Sequence, residues 1–146
     1  MHSTTSEYER RQQIVSEAMR WLRTPYRNCA NVLGVGVDCA MLIVEVYKAV
    51  GKCPADYDPR PYAPEWYLHR DEERYLEPLG VFGRRVAESD VLPGDIAVYR
   101  FGRTASHGAI VVSDTLIIHA NRMARCVELH ERQFMRDRLD SHWSVF

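Results

Sequence analysis

The chain has 146 residues, a length that suffices for one domain with its own hydrophobic core. Apolar residues make up 46% of it and charged residues 27%, proportions typical of a folded globular protein and not of a disordered or fibrous one. Nineteen basic and twenty acidic side chains give a formal net charge of −1, which lacks the basic footprint of a nucleic-acid-binding protein. We therefore predict a single domain over residues 1–146 that does not bind nucleic acid.

The hydropathy pattern predicts no membrane insertion. The most apolar stretch, Ala40 to Val50, is interrupted by Glu45 and Lys48 and is far shorter than the roughly 20 residues that cross a bilayer. The N-terminal segment, Met1 to Arg11, is polar and has no apolar core of a secretory signal. Because no secretory signal is visible, we expect a protein that is cytoplasmic when made. We also expect reduced thiols, because its cysteines are widely spaced and form no C-x-x-C pair.

The first predicted helix extends from Ser6 to Leu22. Ser6 and Glu9 have the spacing of a capping box, and apolar residues recur after them on one helical face. The helix ends before Pro25. The following segment, Asn28 to Val37, contains glycines and no periodic pattern, which predicts a loop.

The second predicted helix begins with Asp38 as its N-cap residue and Cys39 as its first helical residue. Apolar residues follow at helical spacing, and Gly51 stands where helices commonly end. Prolines then recur from Lys52 to Pro64, which predicts an irregular surface segment. A further, more exposed helix is predicted from Pro64 to Leu76.

The second half of the chain is rich in β-branched and aromatic residues with short polar connections, which is typical of antiparallel strands. The predicted strands are Ile96 to Phe101, His107 to Val112, Thr115 to Ala120, Cys126 to His130 and Trp143 to Phe146, with a short helix from Arg132 to Leu139. Helices followed by consecutive strands predict an α+β domain with an antiparallel sheet.

Cys39 combines a nucleophilic atom with a helix N-terminus. A thiol attacks as its thiolate, and a helix N-terminus with a nearby imidazolium lowers the thiol pKa. The backbone N–H groups at the same place can also receive the oxyanion of a tetrahedral intermediate. We expect a lowered pKa if Cys39 is a nucleophile; from the helix pattern alone, a small residue that fills the core is an equally weighted interpretation.

Two histidines lie near adjoining ends of consecutive predicted strands. His107 opens one strand and His119 closes the next, and a tight turn at Ser113 and Asp114 joins the two. Antiparallel pairing would bring the two rings together opposite Cys39. A nucleophile, a base and a group that orients the base form a generalised triad. A histidine at a strand end is also commonly just a polar terminus, and this alternative stays open.

Four motifs in order resemble the NlpC/P60 family of cysteine hydrolases, and the similarity extends from about Trp21 to Ala120. The segment Leu22-Arg23-Thr24-Pro25-Tyr26 resembles the lead-in of that family. The motifs are Gly36-Val37-Asp38-Cys39-Ala40-Met41-Leu42, Leu92-Pro93-Gly94-Asp95, Ser106-His107-Gly108-Ala109-Ile110 and Ile117-Ile118-His119-Ala120.

The resemblance implies a papain-like NlpC/P60 fold, with N-terminal helices packed on a central antiparallel sheet. It implies hydrolysis of amide bonds in peptidoglycan stem peptides, commonly next to D-glutamate or meso-diaminopimelate, without a metal or cofactor. By the same comparison Cys39 is the nucleophile, His107 the base and His119 the orienting residue. Tyr26 and Asp38 correspond to residues that contact the substrate.

Within that family the chain resembles phage-type members associated with tail assembly, because of the extended loop 28–36 and the Pro-rich insertion that leads into residues 66–74. Phage tail proteins and a place in the virion tail are therefore further expectations. The family usually has Ser-Gly after the Asp-Cys pair, whereas this chain has Ala40-Met41, a departure expected to affect substrate fit.

Other interpretations remain open at this point. One is a structural tail component that keeps the fold without turnover, since fold does not imply function. Another is a cysteine-dependent acyltransferase, which shares the steps up to the acyl-enzyme. A third is a zinc site formed by Cys39, His107 and His119, which is disfavoured because closely spaced ligand pairs are lacking.

Overall fold

The computed structural model describes residues 5–60, 76–101 and 104–146. The predicted exposed helix from Pro64 to Leu76, apart from its last residue, lies outside the described residues, as does the end of the Pro-rich segment. The described part of that segment, up to residue 60, contains turns and no helix or strand. Within the described ranges, no helix is long and apolar enough to cross a bilayer.

Helices precede a curved antiparallel sheet, as the sequence predicts. The helices are α1 (Glu7–Arg20), α2 (Cys39–Ala49) and α3 (Leu76–Phe82), and short 3₁₀ helices cover Glu88–Asp90 and Arg132–Arg138. The strands are β1 (Asn31–Val32), β2 (Gly36–Val37), β3 (Arg84–Val86), β4 (Ile96–Phe101), β5 (Thr104–Val111), β6 (Leu116–Asn121), β7 (Cys126–Glu131) and β8 (Leu139–Ser144). A six-stranded sheet has the order β3-β8-β4-β5-β6-β7, and every neighbouring pair is antiparallel. The α+β prediction is confirmed.

Both predicted N-terminal helices form, and their ends have the expected caps. The Ser6 hydroxyl accepts the Glu9 backbone N–H at 3.1 Å at the start of α1. At the end of α2, Gly51 N–H donates to the Lys48 carbonyl at 3.0 Å and Lys52 N–H donates to the Tyr47 carbonyl at 2.8 Å. This pair of bonds is a Schellman motif, and it requires the positive φ of +74° that glycine adopts at residue 51.

Several elements differ from the sequence prediction. The predicted loop 28–37 contains the short β1–β2 pair, in which Asn31 lies opposite Val37. Strand β5 begins before His107, and β8 ends before the predicted strand 143–146 does. Helix α3 and strand β3 were not predicted, because α3 contains Pro78 and Gly80 and β3 is a short edge strand with two exposed arginines.

The core lies on both faces of the sheet. On one face α1 and α2 cover Ile96, Val98, Ile110 and Ile118, which are at most 1% exposed. On the other face Tyr99, Val111 and Ile117 pack with Met135 of the second 3₁₀ helix. Burial on both faces explains the nearly continuous apolar runs of β4 and β6.

The turn formed by Pro93, Gly94 and Asp95 joins the two helices to the sheet. The Arg11 guanidinium in α1 donates to the Asp95 carboxylate at 2.6 Å, and the two side chains are 6% and 1% exposed. Tyr47 in α2 donates its hydroxyl proton to the Gly94 carbonyl. The Asp95 carboxylate also accepts the Leu92 N–H at 2.9 Å, which closes the turn itself.

We predict that Asp95→Ala destabilises the fold by about 3 kcal/mol, because it removes the buried counter-charge of the Arg11 guanidinium and leaves it the exposed Glu7 carboxylate, 3.0 Å from Arg11 Nε, as its remaining acidic partner. Replacing both residues by apolar ones of similar volume should cost much less. Urea unfolding of both variants measures the difference. Glu88→Gln is the matched control, since its partner Arg136 is exposed, and it should leave the free energy of unfolding unchanged. Equal losses of stability from Asp95→Ala and from the double replacement would contradict the prediction.

Candidate active site

Cys39 is held at the first position of α2 by the residue before it. One carboxylate oxygen of Asp38 accepts the Met41 N–H at 2.9 Å, and the other accepts the Cys29 N–H at 2.7 Å. Asp38 is 2% exposed. Its carboxylate therefore caps α2 and ties the preceding loop to the helix start, which fixes the direction from which the thiol leaves the helix.

The thiol lies beside β5, close to where β5 and β6 diverge. Among the described β5 residues, Ile110 and Val111 pair with β6. Nearer the start of β5, the Cys39 thiol donates to the Ser106 carbonyl oxygen at 3.7 Å, and the Gly108 backbone N–H acts to lower the pKa of the thiol. These two groups flank His107, so the thiol is next to the backbone of the predicted base.

The structure brings the two predicted histidines together. His107 Nε2 lies 2.8 Å from His119 Nδ1, and the two rings are nearly perpendicular at 82°. The aromatic ring of Phe101 packs edge-on against His107 with centroids 5.6 Å apart. His119 is 1% exposed, so its ring is fixed by the surrounding core.

His119 also contacts two residues that were not predicted from the sequence, Glu128 and His130. His119 Nε2 lies 3.3 Å from His130 Nδ1 and 3.8 Å from the nearer Glu128 carboxylate oxygen. His130 Nδ1 lies 3.2 Å from that same oxygen. The register places Glu128 directly opposite His119 across β6 and β7. A hairpin with its turn between Asn121 and Cys126 has this register, so the short polar segment 121–126 is the sequence signal for the pairing.

Tyr26 lies on the chain segment that leads into the site. It forms a parallel bridge with Val37, two residues before Cys39, and its N–H donates to the Arg125 carbonyl at 2.8 Å. Its side chain is half-buried against the core. The substrate contacts expected for Tyr26 and Asp38 stay predictions.

The Ala40-Met41 departure affects the core more than the site. Met41 is fully buried among the core residues. Ala40 lines an apolar cavity next to α2 together with Tyr57 and Leu79. The added bulk of Met41 is thus taken up inside the domain.

Burial sets the charge state of the site. Loss of solvent and the nearby Asp38 carboxylate raise the pKa of the Cys39 thiol to about 12, against a smaller opposite effect of backbone N–H groups. Burial and the neighbouring His119 lower the pKa of His107 to about 3. The expectation of a lowered Cys39 pKa was wrong, because desolvation of the thiol and the Asp38 carboxylate outweigh the helix N-terminus, and burial also disfavours the imidazolium form of His107.

His119 is likewise neutral. Burial and the neighbouring His130 lower its pKa to about 4, and the Glu128 carboxylate raises it by less. The resting site therefore contains a thiol and two neutral imidazoles, a combination in which proton transfer and attack on a carbonyl occur together.

The fold is similar to that of solved NlpC/P60 domains. The NlpC/P60 domain of the peptidoglycan hydrolase SagA has a TM-score of 0.67 at 22% identity, over 92% of this chain and 97% of its own. The chain has the NlpC/P60 fold. NlpC1 from Trichomonas vaginalis gives a TM-score of 0.69 at 15% identity over 97% of this chain. An NlpC/P60 family protein from Bacillus cereus ATCC 10987 gives 0.67 at 20% identity over 96%.

The chain spans 47% of the length of the Trichomonas protein and 40% of the Bacillus protein. No protein-family model and no curated protein sequence matches it. At these identities the likeness establishes the fold, and the catalytic roles remain to be argued from the site itself.

We predict that iodoacetamide labels Cys39 slowly at neutral pH, with a rate that still rises at pH 9, because burial keeps its thiol protonated. In denaturant the labelling rate of the same residue should level off near its ordinary pKa of roughly 8.5. Mass spectrometry of the labelled peptide gives both profiles. A plateau below pH 7 in the folded protein would show a lowered pKa instead.

We predict that the fold loses stability as the pH falls from 6.5 toward 4. The pKa of His119 is about 4 in the folded state, below its ordinary value, so the unfolded chain binds the proton first and protonation favours unfolding. The expected slope is about 1.4 kcal/mol per pH unit for this histidine, and His107 acts in the same direction. Urea unfolding at several pH values, with a chelator present, measures this slope. The free energy of unfolding of a His119→Asn variant should depend less steeply on pH. Equal slopes for the variant and the intact chain would refute the role of His119.

Proposed function

We propose that the protein is a cysteine peptidase or amidase that hydrolyses amide bonds in peptidoglycan stem peptides. Cys39 is the nucleophile, His107 the base and His119 the residue that orients His107. The observation that carries the proposal is the contact of the Cys39 thiol with the Ser106 carbonyl at 3.7 Å, since Ser106 directly precedes His107 and His107 Nε2 lies 2.8 Å from His119 Nδ1.

The proposed mechanism assigns one tautomer to each ring. In it the His107 Nε2–H donates to His119 Nδ1, 2.8 Å away, and His107 Nδ1 is the lone-pair atom that accepts the thiol proton. As the Sγ–carbon bond forms, this proton moves to His107, and the substrate carbonyl becomes an oxyanion. Because the new charges form as a pair, a neutral resting state does not prevent attack.

The oxyanion is stabilised by N–H groups at the start of α2. The backbone N–H groups of Cys39 and Ala40 act to lower the pKa of the thiol, and they bring the positive end of the helix dipole with them. His107 then donates its proton to the leaving amine, which breaks the amide bond. A water molecule deprotonated by His107 releases the acyl group and restores the thiol.

The substrate assignment is supported by two lines of argument. The sequence motifs resemble a peptidoglycan-cleaving family, and SagA, which shares the fold, is described as a peptidoglycan hydrolase. We include Tyr26 and Asp38 as substrate contacts. Because both oxygens of Asp38 hold backbone N–H groups, its contribution is the attraction of its charge for a substrate amino group.

We further propose a phage or prophage tail-associated protein, made in the cytoplasm and carried in the virion tail, with tail proteins as partners. The support is the extended loop 28–36, whose hairpin exposes the apolar side chains of Val32 and Val35. Apolar side chains at a loop tip suit a protein contact. The insertion at residues 66–74, which suggested the same assignment, lies outside the described residues.

The decisive experiment incubates purified peptidoglycan peptides with the full chain and analyses the products by mass. The intact protein should add one water across a stem-peptide amide, and Cys39→Ala should yield no product. His107→Ala should be slower by at least about 100-fold, the usual contribution of a general base. Cys53→Ala is the control cysteine variant and should retain activity.

Other outcomes would contradict this function. Equal product from Cys39→Ala and the intact chain would exclude Cys39 as the nucleophile. Transfer of the acyl group to an added amine in place of water would indicate the acyltransferase. Unchanged peptides in the presence of a folded chain would leave the structural tail component as the better interpretation.

A further inference from the structure

Three potential metal ligands lie together behind the candidate active site. They are His119 Nε2, His130 Nδ1 and one carboxylate oxygen of Glu128, and all three lie within 4.8 Å of one another. Their separations are 3.3, 3.2 and 3.8 Å. Zinc bonds of roughly 2.0–2.2 Å in tetrahedral geometry place neighbouring ligand atoms about 3.3–3.6 Å apart. The three observed separations lie within or close to this range, so small side-chain adjustments would place the atoms at three corners of a zinc site.

We propose that His119, Glu128 and His130 form an inhibitory binding site for a zinc-like divalent cation, with water as the fourth ligand. The metal site stands on its own geometry, and the inhibition rests on the proposed function. Two imidazoles and a carboxylate are a donor set that zinc accepts readily, in contrast to magnesium or calcium.

The surroundings of the three residues hold their ligand atoms in place. Asn121 donates its amide N–H to the same Glu128 oxygen at 2.6 Å, and the Phe134 ring stacks on His130 with centroids 3.9 Å apart. Contacts of this kind orient the ligands of metal sites. The Glu128 and His130 side chains are 30% and 26% exposed, so a cation reaches the site from solvent while His119 forms its buried side.

Occupation of the site would reverse the tautomers that catalysis requires. In the working state the His119 proton is on Nε2, since Nδ1 accepts from His107. A cation takes the lone pair of Nε2, so the ring proton must move to Nδ1. Two N–H groups cannot face each other at 2.8 Å, and the proton of His107 therefore moves from Nε2 to Nδ1. No net proton is gained or lost.

The shift disables the base. His107 Nδ1 is the atom that accepts the thiol proton, and in the metal-bound state it already carries a proton. The thiol proton then cannot pass to His107, although the cation binds to His119, Glu128 and His130 and not to Cys39. The site also differs from the zinc alternative of the sequence analysis, which contained Cys39 and His107 and shares His119 alone.

Titration of the chelator-treated full chain with cobalt(II) and with zinc tests the site. We expect one equivalent bound in calorimetry and a tetrahedral cobalt(II) absorption without a thiolate charge-transfer band. His130→Gln and Glu128→Gln should each weaken binding at least about 10-fold. Cys39→Ala and the neighbouring surface variant Glu131→Gln should bind like the intact chain. Absence of binding, a thiolate band, or loss of binding in either control overturns the site.

Long-range ¹⁵N–¹H spectra of the histidines test the inhibitory mechanism independently of an activity assay, because they report the tautomer of His107. One equivalent of zinc should move the His107 proton from Nε2 to Nδ1, and the His130→Gln variant should show no such change at the same concentration. A bound metal with an unchanged His107 tautomer overturns the inhibitory mechanism. In the peptide assay, zinc should stop cleavage and a chelator restore it. If the chelator-treated chain does not cleave peptides but zinc still moves the His107 proton, the proposed function is refuted and the metal site stands.

Discussion

The buried pair of Arg11 and Asp95 is the constraint on which the arrangement of the domain depends. Asp95 belongs to the turn that precedes β4, and its backbone carbonyl accepts the Val111 N–H at 2.9 Å, so the turn is part of the sheet. Arg11 connects that turn to α1 and also donates to the Ser144 hydroxyl of β8 at 3.2 Å. A charge pair of this kind stabilises little relative to apolar packing, but its strict geometry excludes alternative placements of the helices. The separation between the N-terminus of α2 and β5, and with it the position of the thiol, follows from this placement.

Burial determines the chemistry of the site more strongly than the helix dipole does. The start of α2 directs backbone N–H groups at the sulfur, yet desolvation and the Asp38 carboxylate outweigh them and keep the thiol protonated. The same desolvation keeps His107 neutral. In the proposed mechanism, charge develops on the substrate oxygen only during attack, which is when a prearranged set of N–H donors is most effective.

Much of this architecture is predictable from local sequence patterns. Asp38 and Cys39 at the start of α2, the bounds of β4 and the contact between His107 and His119 follow from capping preferences and from the order of the strands. The contacts of Glu128 and His130 with His119 do not follow from these patterns. They depend on the register of β6 against β7, which the exposed turn between the two strands sets. The pKa of Cys39 could not be predicted either, since the number of atoms that exclude water from the thiol is a property of the folded chain. Edge strand β3 lacks any apolar alternation and is formed by pairing with β8.

The identity of residue 119 links catalysis to the surface of the protein. An asparagine there could accept the His107 Nε2–H through its amide oxygen, but its amide N–H groups do not change their protonation when a neighbouring group changes. An imidazole has a second nitrogen whose protonation is coupled to the first, so whatever occupies Nε2 decides whether Nδ1 accepts or donates. The Glu128 and His130 side chains occupy that second position in this fold. In the proposed mechanism their protons, or a cation that replaces them, would therefore act on His107 through one rigid ring and over two contacts.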